Sequence, residues 1–170
     1  MTIKTLYFNP MDKNLLPYYN GCYVCSQTSQ CGLHQRFYVK NDKIYSHFKP
    51  SSSFQGYEGF VHGGVFSAIL DESMGWAASV KVKGFCKTVK LEIRFSKETP
   101  SDKLYTIESE YMRTVRGFLE AKGKVYDEQG NVYVRGEGIY YPMPSEFTNW
   151  AKDLVIYDEN TLKVFDKEQT

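Results

Sequence analysis

Hydrophobic and polar positions alternate with period two over most of the second half of the chain. Val89, Leu91, Ile93 and Phe95 interleave with Lys90, Glu92, Arg94 and Ser96, the signature of a strand with one buried face. Lys103 to Met112 repeats the pattern through Tyr105, Ile107 and Tyr111, after turn residues at Thr99 to Asp102. Gly117 to Tyr126 repeats it again through Leu119, Ala121 and Val125. A turn over Asp127 to Asn131 leads to a last strand, Val132 to Tyr141, ended by Pro142 and Pro144. Two shorter strands, Arg36 to Lys40 and Lys43 to Phe48, flank the turn pair Asn41-Asp42. The segment SEFTNWAKDL, with Ser145 as N-cap, predicts a short helix before a surface-packed tail.

Between the two groups of strands the period changes to that of a helix, from about Gly63 to Val80. A helical wheel places Val65, Phe66, Ile69, Leu70, Trp76 and Ala77 on one side. The other side carries Asp71 among small residues: Gly64, Ser67, Ala68, Gly75 and Ala78. One helix followed by antiparallel strands predicts an α+β layer with the helix packed on a curved sheet. The small face leaves room for a ligand or a second backbone, and Glu72, turned about 100° from Asp71, reads as a solvated charge.

Composition narrows the function classes. The chain has 170 residues, 42% of them apolar, enough for one domain with a sizeable core. Twenty-one Lys and Arg balance twenty Asp and Glu, a net charge of +1, so no global field attracts nucleic acid or an anionic membrane. No stretch has the length and apolarity of a membrane span or a secretory leader, which makes the cytoplasm the expected location.

The chemistry concentrates in GYEGFVHGGVFSAILDESMG, residues 56 to 75. Two glycines at a helix start leave backbone N–H groups unshielded, able to hold an oxygen that becomes negative during reaction. Asp71 lies too deep in the helix to be a cap and can serve as base or nucleophile, while simple exposure or pairing with a lysine explains it as well. Cys22, Cys25, Cys31 and His34 follow C-x2-C-x5-C-x2-H, a conceivable tetrahedral zinc set, against which stand ordinary reduced cysteines in a loop.

The run from Gly56 to Ala78, with His-Gly-Gly, six residues, then Asp, resembles the signature of hotdog-fold acyl-CoA thioesterases of the phenylacetate-pathway (PaaI-like) type. The resemblance extends from about residue 22 to 142 and takes in the Thr88-led strand TVKLEIRF and the upstream segment CYVCSQTSQCGLHQRF. It implies a hotdog fold over the whole 1–170 chain, its core at about 33–142, and homodimers that often pair into tetramers. It also implies acyl-CoA hydrolysis with Asp71 as general base or nucleophile and the Gly63 amide, with Gly64, holding the thioester carbonyl. His62 would orient the loop and Thr88 assist the attacking water. Gln55 is the nearest polar amide before the His-Gly-Gly; Arg113 and Arg116, beside Gly117, are the local cations for coenzyme A phosphates. No cofactor or metal is expected beyond the coenzyme A of the substrate. The rival expectation is a hotdog protein that binds or senses acyl-CoA without hydrolysing it.

Overall fold

The computed structural model describes residues 14–165. Strands β1 (Tyr38–Lys40) and β2 (Lys43–Phe48) precede helix α1 (Gly63–Val82), and four long strands follow: β3 (Cys86–Phe95), β4 (Tyr105–Val115), β5 (Phe118–Asp127) and β6 (Val132–Pro142). A short helix, α2 (Ser145–Ala151), comes last. The six strands form one antiparallel sheet in the order β1-β2-β4-β5-β6-β3. Helix α1 touches β2 through β6, so the sheet curves around it as the hotdog arrangement requires. Because β3 is an edge strand paired only with β6, one of its backbone edges is left open among the described residues.

The helix is held by its apolar side. Phe66, Ile69, Leu70 and Met74 are fully buried against Tyr105, Ile107, Val125 and Val134 from the inner face of the sheet. Each such side chain stabilises the fold by about 1.5–3 kcal/mol. Glycines in the sheet let the helix come close: a Cβ on Gly123 would lie 2.8 Å from Leu70 Cδ2, and one on Gly136 would lie 3.1 Å from Met74 Cε.

The expected small face of α1 is only partly open. Gly64, Ser67, Ala68 and Asp71 keep solvent contact, whereas Ala78 is completely buried within the chain and Gly75 lies under the ring of Tyr140. Glu72 is not the solvated charge that the wheel suggests. It turns into the fold toward Cys22.

Turns follow the local chemistry. Asn41 and Asp42 both have positive φ (51° and 59°), as do Arg116 and Gly117 (51° and 82°), the conformation that two-residue hairpin turns between twisted strands need. Gly117 therefore belongs to the β4–β5 turn rather than to β5. At the C-terminal end Ser145 is the first helical residue of α2; Pro144 occupies the cap position without a side-chain bond. Segments outside the sheet close one end of the fold. Leu15 pairs with Thr161, Tyr18 with Ile156, and the ring of Phe165 stacks on Phe85 at 4.1 Å.

Candidate active site

Asp71 sits at the middle of α1, with its carboxylate held from the sheet. Thr88 Oγ1 donates to Asp71 Oδ1 at 2.9 Å, and Tyr140 Oη donates to the same oxygen at 3.1 Å. Tyr140 also lies 3.1 Å from the Asp71 carbonyl oxygen, so its one hydrogen is shared between two acceptors on one residue. No described residue donates to Oδ2. The carboxylate is thus fixed through one oxygen and has no donor at the other among the described residues, on a residue that is half-buried.

The sheet brings these donors together by register. Thr88 and Tyr140 are direct partners across β3 and β6, and a bulge follows at once, so that Lys90, not Val89, pairs with Ile139. Without the bulge, strict alternation would put Thr88 on the face opposite Leu91 and Ile93. The extra residue turns Thr88 toward the helix and pushes Val89 outward, where it is 51% exposed. Gly75, one turn beyond Asp71, has no side chain to hold the Tyr140 ring away; a Cβ there would touch the ring at 3.5 Å. Burial drives the Tyr140 phenol well above its ordinary value, and the neighbouring Asp71 adds to this, so the hydroxyl remains a donor at any ordinary pH.

The helix N-terminus forms the second part of the site. His62 is the N-cap, and its Nδ1 accepts from the Gly64 amide at 3.0 Å, which fixes the ring over the first turn. That bond occupies the Gly64 donor. The Gly63 amide, first in the helix, has no acceptor among the described residues. The ring of Phe95 lies over Gly63, and a Cβ at that position would approach its Cζ to 3.1 Å. Gln55 supports the loop: its side-chain amide donates to Ser101 Oγ at 3.1 Å and its backbone bridges to Val61.

The arginines divide. Arg113 is tied to Glu120 by a 2.6 Å ion pair, whereas Arg116 stands at the tip of the β4–β5 turn with no ion pair among the described residues. Leu119 pairs with Tyr140, which pairs with Thr88, so that turn projects from the end of the sheet where Thr88 sits, two strands or about 10 Å away.

The four residues spaced like a zinc set do not gather. Cys31 is exposed and His34 Nδ1 faces the Ser26 carbonyl at 2.9 Å. Cys22 and Cys25 do meet, and the third member of their cluster is Glu72. The Cys25 thiol donating to Cys22, together with the Val24 and Cys25 amides, outweighs burial and brings the Cys22 thiol down to about 6; the Cys25 thiol is correspondingly raised. Removal from water, reinforced by Cys22, pushes the Glu72 carboxyl up to about 8.

Comparison with known proteins bears on the fold. Residues 58–134 match the family model of the thioesterase superfamily, a span that contains the His-Gly-Gly, Asp71 and Thr88. The match takes in somewhat under half of the chain. The chain is 29% identical over 101 residues to the acyl-coenzyme A thioesterase THEM5 of Homo sapiens, an alignment covering 58% of this chain and 40% of that protein. It therefore spans well under half the length of this curated relative. Among solved structures, a thioesterase superfamily protein superposes with a TM-score of 0.65 at 20% identity, over 79% of this chain and 72% of that one. The PaaI protein of the E. coli phenylacetic acid degradation operon does so with 0.60 at 10% identity, over 66% and 81%. The hotdog fold is established by these likenesses, and no helix among the described residues is long and apolar enough to cross a membrane.

Three features of the site escape pattern reading. Tyr140 reads only as an inward aromatic, Phe95 only as a strand residue, and Glu72 as surface. The alternation of β6 marks Tyr140 as buried, but nothing local says that its hydroxyl reaches the helix.

Proposed function

We propose that the protein hydrolyses acyl-CoA thioesters, with Asp71 as the general base or nucleophile. The observation that carries this reading is the asymmetric carboxylate: Oδ1 fixed by Thr88 and Tyr140, Oδ2 without a partner among the described residues. A carboxylate with a purely structural role would bind through both oxygens or face bulk water. One oriented through a single oxygen presents the other to a reacting atom.

The oxyanion donor must come from elsewhere. Gly63 and Asp71 are eight residues apart on one helix, about 12 Å along its axis, whereas attack and stabilisation at one carbonyl need groups about 3 Å from neighbouring atoms. The two cannot serve the same thioester within one chain. A pair of chains can bring Gly63 of one to Asp71 of the other, and homodimerisation is part of the proposal for that reason. The open β3 edge supports it, since Val89 and Phe95 are 51% and 45% exposed there. Phe95 shields Gly63 in the single chain and would border the shared site in the pair. In this arrangement the Gly63 amide holds the carbonyl oxygen, His62 fixes the loop, and Thr88 and Tyr140 hold Asp71 against the attacking water. Arg116 offers the cation for coenzyme A phosphates that the near-zero net charge does not provide.

The test is a panel of acyl-CoA substrates, with free thiol release as readout, run on the parent chain and on Asp71→Asn. Turnover in the parent and its loss in the variant is the expected result. Binding of acyl-CoA without thiol release from any member of the panel would replace the hydrolase by a binding or sensing protein.

A further inference from the structure

We propose that Cys22, Cys25 and Glu72 form a zinc site that fastens the segment before the first strand to helix α1. The two sulfurs and a carboxylate oxygen all lie within 4.8 Å of one another, although Glu72 is about fifty residues away in sequence. Cys22 Sγ and Glu72 Oε1 are 3.7 Å apart. With zinc–sulfur and zinc–oxygen bonds of about 2.3 and 2.0–2.2 Å, a tetrahedral ion sets its sulfur and oxygen ligands about 3.5–3.7 Å apart. The pair is therefore already spaced as two ligands of one ion.

The local backbone is shaped for the same purpose. The two cysteines lie on a tight turn in which Ser26 N donates to the Cys22 carbonyl at 3.2 Å. The amides of Val24 and Cys25 both point at Cys22 Sγ, at 3.3 and 3.4 Å. Amide donors aimed at sulfur favour the thiolate, the form that binds metal. Cys25 is buried, and no Lys or Arg among the described residues forms an ion pair with Glu72. A divalent ion supplies the positive charge that this set of acidic ligands requires. Two sulfur ligands and one carboxylate select zinc over calcium or magnesium, and three protein ligands leave the fourth position to water. Asp71 adjoins Glu72 on the helix, so the ion would also stiffen the turn that carries the candidate active-site carboxylate. The site stands apart from the proposed hydrolysis, and metal binding can be measured whether or not the chain has thioesterase activity.

The experiment uses the full chain, reduced and stripped of metal, titrated with cobalt(II) and then zinc(II). Cobalt should bind at about one per chain, with the intense thiolate-to-cobalt absorption of tetrahedral sulfur ligation, and zinc should displace it. Cys25→Ser and Glu72→Gln should each weaken binding by more than about 100-fold, beyond the effect of losing an outer-shell partner. Cys31→Ser and His34→Ala should leave it unchanged, because neither residue reaches the cluster. Absence of the cobalt–thiolate band in the reduced parent chain overturns the proposal and depends on no variant folding correctly. Binding that survives Glu72→Gln at full strength, or that requires Cys31 or His34, overturns it as well.

Discussion

Replacing Tyr140 with Phe removes one hydroxyl and nothing else. The ring that fits over Gly75 remains, and so does the pairing with Thr88 and Leu119. The lost bond goes to a carboxylate, and hydrogen bonds to charged groups contribute about 1.5–3 kcal/mol. The lower end applies, because the hydroxyl hydrogen is shared with the Asp71 carbonyl and Thr88 still holds Oδ1. About 1.4 kcal/mol is a factor of ten in rate, so kcat should fall about tenfold while KM changes by less than about twofold, the signature of a group that positions the carboxylate rather than binding substrate. Thiol release from the best acyl-CoA of the panel measures both constants, and a urea titration measures the accompanying stability loss. Thr88→Val and the double variant complete a cycle. Two donors on one oxygen should couple by at least about 0.5 kcal/mol, the range seen for residues in one network. If Tyr140→Phe loses stability yet keeps its kcat within about twofold, Tyr140 is packing alone, and the asymmetric carboxylate loses its role in the argument.

The remaining predictions are independent of that one. Asp71→Asn should lower kcat by about 10²–10⁴ without changing assembly, as seen by thiol release and size-exclusion chromatography. Gly63→Pro deletes the one amide of the first turn that lacks an acceptor and should cost about 10²–10³ in kcat, whereas Gly64→Pro, whose amide serves the His62 cap, should mainly lower the melting temperature. Arg116→Ala should raise KM for acyl-CoA and not for the same acyl group on a short pantetheine thiol; Arg113→Ala should do less, since Glu120 already neutralises it. Burial raises the Asp127 carboxyl, but donors from Asn131, Tyr133 and Lys103 overcome this and bring it from the ordinary 3.8 down to about 2. Its contribution to stability is therefore complete above about pH 4 and lost as pH falls toward 2. Asp127→Asn should lower stability by about 1–2 kcal/mol at pH 7, a figure discounted for the exposed Lys103, and the difference from the parent should vanish at the acid end of a urea series.

The elements of the fold are legible because each depends on local periodicity. The four long strands and the central helix follow from alternation and from the wheel, with ends displaced by up to three residues; β3 starts earlier and β4 runs on further, while Gly117 is claimed by the β4–β5 hairpin. What local pattern cannot carry is register. Thr88 stands on the outward side of β3 by simple alternation, and only its resemblance to the family strand marks it as a site residue. The bulge that turns it inward comes from pairing with β6, some fifty residues later. Gly75 and Ala78 sit on the small face of the wheel, which points toward a partner or a ligand, for the same reason: the wheel separates large from small side chains but does not say that an aromatic from β6 fills the space above Gly75.

Asp71 and Glu72 show how far two adjacent acids can diverge on one helix. They point about 100° apart, and that angle sends one toward β3 and β6 and the other toward the segment before β1. Asp71 meets two hydroxyl donors, which can stabilise a carboxylate while leaving it able to react. Glu72 meets two thiols and is half-buried, an environment that resists a lone negative charge and suits one bound to a cation. The wheel points Glu72 to solvent because the covering segment, residues 22–25, has no periodic pattern and is invisible to any helical projection. If zinc occupies that cluster, the uncharged Glu72→Gln variant loses the ion, and the turn of helix carrying Asp71 loses its tie to the N-terminal segment. The two acids would then be linked in function through rigidity alone, Glu72 holding in place the turn from which Asp71 works.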